Sequence, residues 1–462
     1  MMTLAEAAAA VSGQLIADDV VFTSVSTDSR TIAPGALFVA LRGERHDGHR
    51  FLENVKASGA AAAMIDRASR DAGAPPGLPL VVVPDTLCAL GTLAASWRAR
   101  QQLPLIGVVG SNGKTTVKEM IAAILRAHFG AAQTLATEGN LNNDIGLPLS
   151  LLRLRSTHRA AVVEIGMNHR GETAHLASIA RPTIGLVNNA HREHQEFMKS
   201  VAEVAEEHAA LIRALPKGGI AVLNADDAFA PLWRKAAAGV GATVRDFGLE
   251  HAASVSGRYV PKGYASDIRL QTPEGEADFT IALPGAHNAR NAAAAAAAAT
   301  AAGASLASLE QGLGGFSGLK GRQQRKTGRG GAVVIDDSYN ANPESVRAAI
   351  DVLSACAEPT VLVLGDMGEV GGQGPEFHRE IGAYARQARV SALIGLGMLA
   401  RHAVEAFGVS ATHADSLEEL VGLVSGWDRE GTTLLVKGSR FMRMERVVDA
   451  LVGTQQERKG KH

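Results

Sequence analysis

The segment Gly110–Thr116, GSNGKTT, constrains the fold of this 462-residue chain more than any other feature. It follows an apolar run, LIGVV, and precedes an amphipathic run, VKEMIAAILRAHF, so it lies between a predicted strand and a predicted helix. Glycines in such a turn let backbone N–H groups surround phosphate oxygens, and the start of the helix adds positive partial charge. The sequence therefore predicts a phosphate-binding loop in an α/β domain.

The spacing of this loop departs from the general phosphate-loop pattern. That pattern has four residues between its first glycine and the Gly-Lys pair, whereas Gly110 leaves two and Val108 occupies the earlier position. An ordinary glycine-rich turn is the weaker alternative, because a lysine and two threonines stand at the helix start. Lys114 would place its charge near the β- and γ-phosphates, and the Thr115 hydroxyl would bind Mg²⁺. The predicted nucleotide-binding residues are Gly110, Ser111, Asn112, Gly113, Lys114, Thr115 and Thr116.

Apolar runs alternate with amphipathic segments on both sides of the loop. Strands are predicted at AAVVEIG, TIGLVNN and GIAVLN, and again at AVVIDDSY, TVLVLGD, SALIGLG and TLLVKGS. This alternation predicts an α/β protein with mostly parallel sheets covered on both faces. At roughly 150 residues per domain the length suggests about three domains. We place an N-terminal α/β domain at residues 1–104, a central phosphate-loop domain at 105–313 and a C-terminal Rossmann-like domain at 314–462.

Local patterns refine this division. Asp85 is predicted to cap a helix that ends before Pro104, and residues 243–283 alternate in the manner of antiparallel strands. The alanine run Ala292–Ala299 predicts a closely packed buried helix. Gly312–Gly331 is rich in glycine and basic residues and predicts a linker or hinge. The final segment, TQQERKGKH, is predicted to be disordered.

Charge and composition exclude several classes of protein. The 46 Lys and Arg residues nearly balance the 47 Asp and Glu residues, which argues against coating nucleic acid or an anionic membrane. Aromatic residues make up 4%, so base-stacking platforms are not expected. Cys88 and Cys356 lie too far apart to indicate a disulfide framework and are predicted to be buried. The chain has no apolar run of about 18 residues and no signal-like N-terminus, so we expect a cytoplasmic protein without a membrane span.

Polar clusters follow the predicted strands, where parallel sheets bind ligands. Glu164 ends AAVVEIG and is well placed to hold Mg²⁺. The loop TEGNLNN, which contains Asn142, fits either a simple turn or part of a site. The next polar cluster comprises His191, Glu193, His194 and His208. Its spacing is irregular for a metal site, so for any single member a role in the interior or on the surface is a stronger interpretation than metal binding.

Further clusters lie in the second half of the chain. Asn288 and Asn291 are three residues apart, so they share a face of a helical first turn and could contact a base, although helix capping is equally compatible. DDSYNANP, LGDMGE and VKGSR each follow a predicted strand. Asp336 could bind a ribose hydroxyl, and Tyr339 could stack or form a hydrogen bond. Three such clusters in one sheet indicate a crevice rather than three unrelated turns.

The motifs in combination resemble one enzyme family. GSNGKTT, TEGNLNN, VEIGMNHRGE, GAHNARN, DDSYNANP, LGDMGE and VKGSR occur in that order over residues 107–440, and together they resemble the ATP-dependent Mur ligases of peptidoglycan assembly. STDSR and GALFVALRGERHDGHRF are similar to the family's N-terminal, UDP-sugar-binding domain. DSYNANP and LGDMGE resemble the member that adds a dipeptide, since members that add a single amino acid carry different residues there.

The resemblance implies a reaction and a set of site residues. The carboxylate of UDP-MurNAc-tripeptide would be joined to the amine of D-Ala-D-Ala, with ATP and Mg²⁺, through an acyl phosphate. Two Mg²⁺ ions are implied, the second near His191. The implied catalytic residues are Lys114, Glu164 and His191; the metal ligands are Thr115, Glu164 and His191; the additional ATP contacts are Asn288, Asn291, Asp336, Tyr339 and Asn340; and the substrate contacts are Ser29, Arg30, Asn142, Asn342 and Asp366.

One position departs from the family. Its members commonly carry a lysine that becomes carbamylated and helps to hold the second Mg²⁺. Counting back from LPKGGIAVLNADD places that position at His208, and an imidazole cannot form this carbamate. Either His208 binds metal or donates a hydrogen bond itself, or the second metal is held differently.

Three alternatives remain open. A sibling ligase that adds one amino acid, or a glutamate to a folate, is the nearest, and DSYNANP and LGDMGE disfavour it. A small-molecule kinase would not need a third nucleotide-facing unit or the UDP-sugar motifs. A non-catalytic nucleotide-binding regulator would be expected to lack Lys114, Thr115 or Glu164, and all are present. We expect a monomeric enzyme that acts on small molecules.

Overall fold

The computed structural model describes residues 1–44, 46–69, 75–193 and 195–453. The predicted disordered segment TQQERKGKH and one candidate ligand, His194, lie outside the described residues. Within the described part of the chain, no helix combines the length and the apolar character that a membrane crossing requires.

The first part of the chain forms a small α/β unit. Its sheet has the order β2-β7-β6-β5-β4, in which β4 to β7 are parallel and β2 is antiparallel to β7, while β1 pairs with β3. Asp85 caps the last helix as predicted, because its Oδ1 accepts a hydrogen bond from the Cys88 amide at 2.8 Å. The elements are β1 (Met2–Thr3), α1 (Leu4–Ala10), β2 (Gln14–Ile16), β3 (Val21–Phe22), β4 (Ser24–Ser26), β5 (Ala36–Val39), α2 (Leu52–Ala57), β6 (Ala62–Asp66), β7 (Leu80–Val83) and α3 (Thr86–Ala99).

The middle part forms a larger sheet in the order β16-β15-β14-β13-β12-β11-β8-β10-β9. In that order, the strands from β14 to β9 are parallel to their neighbours, and β15 is antiparallel to both β14 and β16. The elements are β8 (Leu105–Val109), α4 (Lys114–Phe129), β9 (Thr134–Ala136), α5 (Gly146–Leu151), β10 (Ala160–Glu164), α6 (Glu172–Ala180), β11 (Ile184–Val187), α7 (Val201–Arg213), β12 (Ile220–Asn224), α8 (Ala230–Val240), β13 (Thr243–Gly248), β14 (Val255–Lys262), β15 (Ala265–Thr272), β16 (Gly275–Ile281), α9 (Ala286–Ala301) and α10 (Leu306–Gly314).

Strand order in the middle sheet determines where a ligand binds. The chain enters at β8, continues through β9 and β10 on one side, and then crosses to β11 on the other side. Such a reversal opens a crevice at the carboxyl ends of the strands, directly beyond Val109. The predicted antiparallel extension is confirmed for β14 to β16. It begins later than residue 243, however, because β13 continues the parallel sheet.

The last part forms a sheet in the order β17-β18-β22-β19-β20-β21. The four predicted strands are β18, β19, β20 and β22; β17, which is antiparallel to β18, and the short β21 were not predicted. The elements are β17 (Gln324–Thr327), β18 (Val333–Asp337), α11 (Pro343–Ser354), β19 (Thr360–Gly365), α12 (Gly374–Gln387), β20 (Ala392–Leu396), α13 (Ala400–Phe407), β21 (Ala411–Ala414), α14 (Leu417–Ser425), β22 (Thr433–Lys437) and α15 (Glu445–Val452).

The alanine-rich helix α9 is buried as predicted. Every residue of Ala292–Ala299 is fully inaccessible to solvent, and the helix packs in one apolar core with residues of β8 and α4. Small side chains allow this close approach of helix to sheet. Gly312 of α10 is equally tight, since a Cβ there would lie 2.7 Å from the backbone of Ile124.

Two sequence predictions are corrected. The linker proposed over Gly312–Gly331 is too wide, because its first residues belong to α10 and Gln324–Thr327 forms β17. Cys88 is exposed rather than buried, and Cys356 is half-buried. Cys88 is exposed because of helical geometry. The buried face of α3 is formed by Ala89, Leu90, Leu93 and Ala94, and Cys88 lies off that face.

Candidate active site

The loop after β8 has the backbone of a phosphate loop. Gly110 and Gly113 adopt φ values of +143° and +79°, which side chains other than glycine rarely allow. A Cβ at Gly113 would lie 2.6 Å from Asn291 Oδ1 and 2.8 Å from Asn188 Nδ2. The second glycine is therefore required by contact as well as by conformation, and helix α4 begins at the next residue, Lys114.

Asparagines that follow β11 hold this loop. The Asn112 amide donates to Asn189 Oδ1 at 2.8 Å, and Asn188 Nδ2 donates to the Asn112 carbonyl at 2.8 Å. The His191 amide donates to Ser111 Oγ, also at 2.8 Å. The sequence predicted the strand before these residues but not their role. The signal was the pair of asparagines at a strand end beside a phosphate loop.

Lys114 lies back over the loop. Its Nζ donates to the Gly110 carbonyl and, at 3.5 Å, to the Ser111 carbonyl, and it lies 3.4 Å from Glu193 Oε2. A phosphate held by the loop would compete for the same ammonium donors. The lysine is therefore positioned by acceptors that a nucleotide can replace.

Glu164 lies at the end of β10, where the sheet register places it opposite Val108 of β8. Its carboxylate is 3% exposed, and Oε1 accepts a hydrogen bond from Asn142 Nδ2 at 2.8 Å. Oε2 is buried and has no hydrogen-bond partner among the residues that the structure describes. A buried carboxylate oxygen without a donor is costly unless a cation or a proton satisfies it, which makes this atom suited to a metal ion. Asn142, predicted to contact substrate, also supports Glu164.

His191 and His208 occupy different places around the loop. His191 lies beside Asn112, whose Nδ2 is 3.0 Å from its Nδ1, and burial lowers the pKa of its imidazole. His208 is 1% exposed, and its Nε2 is 3.2 Å from Glu193 Oε1. A line of side chains thus runs from Lys114 through Glu193 to His208.

The third part of the chain reaches the loop through residues that the sequence analysis missed or assigned elsewhere. Arg322 Nη2 donates to Thr115 Oγ1 at 2.9 Å, and its guanidinium carbon lies 4.1 Å from the centre of the Tyr339 ring. Asn342 caps α11 and donates from Nδ2 to Asn112 Oδ1 at 2.9 Å. Arg322 was overlooked because it lies in a basic, glycine-rich segment that gives no periodic signal.

The two aspartates at the end of β18, Asp336 and Asp337, have different surroundings. Asp336 accepts hydrogen bonds from Ser338 Oγ and Lys326 Nζ, both at 2.6 Å, and it lies outside the crevice. Asp337 receives Lys437 Nζ at 2.6 Å and lines the crevice together with Asn340. Successive side chains of a strand point to opposite faces, so only one of the pair can face a ligand. In the structure Asp337 lines the smaller cavity, and the predicted Asp336 is not among its lining residues.

The predicted base-contacting asparagines lie together in the first turns of α9. Asn291 Nδ2 is 3.4 Å from Asn288 Oδ1, and Asn288 Nδ2 donates to Gln323 Oε1 at 3.0 Å. Gln323 has a φ of +52°, unusual for a residue other than glycine, and its amide donates to Asp337 Oδ1 at 3.2 Å. Gln323 thereby connects the asparagine pair to the third part of the chain.

Two cavities meet at the loop. A cavity of about 1170 Å³ is bordered by residues of α3, the phosphate loop, Glu164, α6 and the third part of the chain. A smaller one of about 170 Å³ lies on the other side of the loop. The larger cavity includes Ser111, Gly113, Lys114, Thr115, Asn142, Glu164, Tyr339 and Asn340, and the smaller one Asn112, Gly113, Thr116, His191, Asn288, Asn291, Asp337, Tyr339 and Asn340.

Among the described residues, four of the five predicted substrate contacts border neither cavity: Ser29, Arg30, Asp366 and Asn342, the last of which contacts Asn112 of the phosphate loop. Ser29 and Arg30 lie in the N-terminal unit, and the Arg30 side chain is 85% exposed and hydrogen bonded to Asp28, which lowers the pKa of Asp28 to about 2. Asp366 accepts hydrogen bonds from the amides of Leu399 and Ala400 at 3.0 and 2.7 Å, so it caps the start of α13.

The residues present fit a magnesium ion better than a metal held by protein alone. Among the described residues, no group of three His, Cys, Asp or Glu side chains is close enough to hold a metal. Magnesium usually takes one or two carboxylates, with water and substrate phosphates completing its shell. The unpartnered Oε2 of Glu164 and the nearby Thr115 hydroxyl provide such a partial shell in the larger cavity. His191, the third predicted ligand, lines the smaller cavity instead.

Arg192 joins the middle and third parts beside the site. Its guanidinium makes two hydrogen bonds to Glu380, at 2.7 and 2.9 Å, and one to Glu344, and it stacks 4.8 Å from the Phe377 ring centre. These carboxylates raise the pKa of Arg192, so the ion pair persists at any ordinary pH. The loop that carries His191 is therefore fixed to α11 and α12.

Comparisons with known proteins agree with this geometry. The sequence matches the Mur ligase family catalytic domain over residues 21–98, the Mur ligase middle domain over 108–299 and the Mur ligase glutamate ligase domain over 321–440. It is 38% identical over 458 residues to the UDP-N-acetylmuramoyl-tripeptide–D-alanyl-D-alanine ligase of Escherichia coli (strain K12), covering 97% of this chain and 98% of that one.

Solved structures give the same result. MurF from Acinetobacter baumannii superposes with a TM-score of 0.88 at 32% identity, covering 98% of this chain and 99% of that one. MurF from Thermotoga maritima, solved in complex with ADP, has a TM-score of 0.82 at 24% identity, covering 96% and 100% of the two chains, and supports the fold.

The fold and the site define an α/β enzyme with mostly parallel sheets and a phosphate loop, as predicted. The chain belongs to the Mur ligase family, so the resemblance drawn from its motifs is confirmed. It is therefore an ATP-dependent ligase that forms a carbon–nitrogen bond.

Proposed function

We propose that this enzyme joins D-alanyl-D-alanine to UDP-MurNAc-tripeptide, converting ATP to ADP and phosphate. The observation that carries the proposal is the larger cavity, in which the phosphate loop and Glu164 face walls from both flanking units. A cavity of about 1170 Å³ has room for a peptide and part of a nucleotide. The similarity to the Escherichia coli ligase over nearly the whole chain supports the same substrates.

A carboxylate does not react with an amine near neutral pH, because the leaving group would be oxide. Transfer of the γ-phosphoryl group of ATP to the tripeptide carboxylate gives an acyl phosphate and ADP. The neutral amine of the dipeptide then attacks the acyl carbon, the carbon–oxygen bond breaks, and inorganic phosphate leaves with the former carboxylate oxygen. The amine loses its proton as the amide forms.

The chain's own cations would make the first step possible. Phosphoryl transfer to an anion brings negative groups together, so donors must be fixed where charge develops. We propose that the loop amides from Gly110 to Thr116 and the Lys114 ammonium hold the β- and γ-phosphates. Arg322, already bound to the Thr115 hydroxyl, is positioned to add a guanidinium from the opposite wall.

The smaller cavity would hold the nucleoside. We propose that Asn288 and Asn291 contact the adenine, while Tyr339 and Asn340 border it from the third part of the chain. The ribose contact first predicted for Asp336 passes to Asp337, because Asp337 lines this cavity. Ser29 and Arg30 remain the proposed contacts for the uridine diphosphate.

We propose that Thr115 and Glu164 bind Mg²⁺ together with the ATP phosphates, and that His191 contributes to a second metal. A bound Mg²⁺ would neutralise charge on the transferring phosphoryl group. Asn142 would act on the metal indirectly, since it fixes one oxygen of Glu164 and leaves Oε2 for the cation.

The remaining proposals concern the whole chain. We propose the division at residues 1–104, 105–313 and 314–462, assigned to the UDP-sugar substrate, to ATP, and to the dipeptide with closure over ATP. We also propose a monomer that acts in the cytoplasm, where nucleotide-linked precursors are available.

Phosphate release from ATP tests the proposed function. The full-length protein with Mg²⁺ is expected to release phosphate only when UDP-MurNAc-tripeptide and D-Ala-D-Ala are both present, with one product peptide formed per phosphate. Free dipeptide alone is expected to give no stimulation. Equal release with a single amino acid in place of the dipeptide would instead identify a sibling ligase.

A further inference from the structure

The wall that the third part of the chain gives to the larger cavity carries charges that the proposed phosphate chemistry leaves unassigned. Five residues form this wall: Arg322, Tyr339, Asn340, Glu369 and Arg440. Arg322 is bonded to the Thr115 hydroxyl and so belongs to the phosphate loop. Arg440 is the remaining cation of this described wall. It follows β22 in the VKGSR motif, whose role was also left open by the sequence.

The backbone that presents Arg440 is held firmly. The Ser439 hydroxyl accepts a hydrogen bond from the Gly368 amide at 2.6 Å and donates to the Ala341 carbonyl at 3.1 Å. A Cβ at Gly368 would lie 2.7 Å from the Phe441 ring, so the two turns are in close contact. The loops that follow β18 and β19 thereby hold the turn that follows β22, and Arg440 extends from this fixed turn.

The Arg440 side chain remains available to a ligand. It is 63% exposed, and one nitrogen, Nη1, pairs with Glu445 Oε1 at 2.9 Å. An arginine has five N–H donors, so this pair leaves most of the guanidinium for another anion. A bidentate contact to a carboxylate suits the planar donor arrangement.

Tyr339 sets the distance between this cation and the phosphate loop. The Arg322 and Arg440 guanidinium carbons lie 4.1 and 5.8 Å from the centre of the same ring, so they are at most about 10 Å apart. Two extended residues span about 7 Å, and one residue spans about half of that. A dipeptide whose carboxylate lies on Arg440 is therefore long enough to bring its amine close to the phosphoryl region beside Arg322.

We infer that the Arg440 guanidinium binds the C-terminal carboxylate of the incoming dipeptide. This inference rests on the proposed function and deepens it, since it assigns one charged group of the second substrate. The N-terminal unit, to which we assigned the UDP-sugar substrate, borders the other side of the cavity through Leu87, Cys88 and Gly91 of α3. The opposite wall is thus left for the nucleophile.

Kinetics with two forms of the dipeptide test this inference. Wild-type enzyme and Arg440→Met are compared with D-Ala-D-Ala and with its C-terminal amide, which lacks the carboxylate. We expect the wild type to show a KM about 10- to 100-fold higher for the amide, since a hydrogen-bonded charge pair is lost. Arg440→Met should raise the KM for the acid by a similar factor, leave the KM for the amide unchanged, and leave the KM values for ATP and UDP-MurNAc-tripeptide unchanged.

Controls separate the outcomes. Arg379→Met removes an equal charge from an exposed site on α12 that borders neither cavity, and it is expected to behave as wild type. Thermal unfolding of both variants checks that each is folded, and Arg440→Lys, which keeps the charge, should give an intermediate KM. An unchanged KM for the acid in Arg440→Met, a fall in kcat alone, or a wild type indifferent to the amide would overturn the inference while leaving the proposed function intact. A wild type inactive with every form of the dipeptide would overturn both.

Discussion

At the scale of single residues, the site is organised by which side of a strand or turn each side chain occupies. Glu164 could be predicted, because a carboxylate at the end of a central parallel strand faces the ligand crevice. Asp336 and Asp337 could not be distinguished from the sequence, since shifting the inferred register by one residue exchanges the two faces. In the structure Lys326 pairs with Asp336, while Asp337 lines the crevice, which is why we propose Asp337 for the ribose contact.

Lys114 gives the first prediction at this scale. Lys114→Ala should lower kcat for the ligation by about 100-fold or more, because it removes a fixed cation from the developing phosphoryl charge. Steady-state phosphate release measures the effect. Lys235→Ala, on the exposed side of α8, is the matched control and should not change kcat. A Lys114→Ala enzyme with near wild-type turnover would refute the proposed role of the loop.

His208 gives a second prediction. Because an imidazole cannot form the carbamate that a lysine forms, activity should be independent of bicarbonate. The structure places His208 beside Glu193, which lies 3.4 Å from the Lys114 ammonium, so the histidine acts on the loop through a carboxylate already present in the chain. Assays after exhaustive removal of CO₂ should match assays in air. Loss of activity that bicarbonate restores would contradict this prediction.

At the scale of helices and strands, the pattern of apolar residues was sufficient to predict the elements that are buried. The buried parallel strands β8, β10, β11 and β12 of the middle sheet, the strands β18, β19, β20 and β22 of the last sheet, and helix α9 follow directly from runs of apolar residues. The strand β21 (Ala411–Ala414) is short and contains two polar residues, so it gives no such signal. The segment before β17 was predicted as a linker, because glycine and basic residues carry no periodic signal. Its contacts with Thr115 and Asn288 depend on the third sheet being in place, which local sequence cannot indicate.

Helix α12 provides a prediction about stability. His378 is fully buried, its Nδ1 donates to the Gly374 carbonyl at 2.7 Å, and its Nε2 accepts from the Met367 amide at 3.0 Å. Burial lowers the pKa of His378 below the ordinary value of 6.5, because the desolvated interior disfavours the charged imidazolium. Stability from this group is complete above pH 6.5 and is lost as the pH falls toward the lowered pKa, since the unfolded chain binds the proton first.

Thermal unfolding between pH 7 and pH 5 measures this effect. The wild type should lose stability as the pH falls, by no more than about 1.4 kcal/mol per pH unit for this histidine. His378→Gln, which cannot be protonated, should show a smaller slope, although the half-buried His191 and His287 also have pKa values lowered by desolvation and keep the slope above zero. His175→Gln, at an exposed position, is the control. Identical slopes for wild type and His378→Gln would show that His378 does not contribute.

At the scale of the whole molecule, the enzyme is a set of α/β units whose loops converge on one cavity. Arg98 of α3 donates to the carbonyls of Ala180 and Arg181, which ties the first unit to the middle one. Arg192 and Asn342 tie the third part of the chain to the loop region. Because the cavity is bordered by every unit, the reacting groups are brought together and protected from water only in the assembled chain.

Oxygen transfer during turnover tests the central claim most directly. UDP-MurNAc-tripeptide carrying ¹⁸O in its reacting carboxylate is incubated with the enzyme, ATP, Mg²⁺ and D-Ala-D-Ala, and the released phosphate is examined by mass spectrometry. Attack of the amine on an acyl phosphate predicts one ¹⁸O atom in each phosphate, together with an equal amount of the pentapeptide product. Product formed with unlabelled phosphate, or phosphate released without product, would contradict the proposed chemistry.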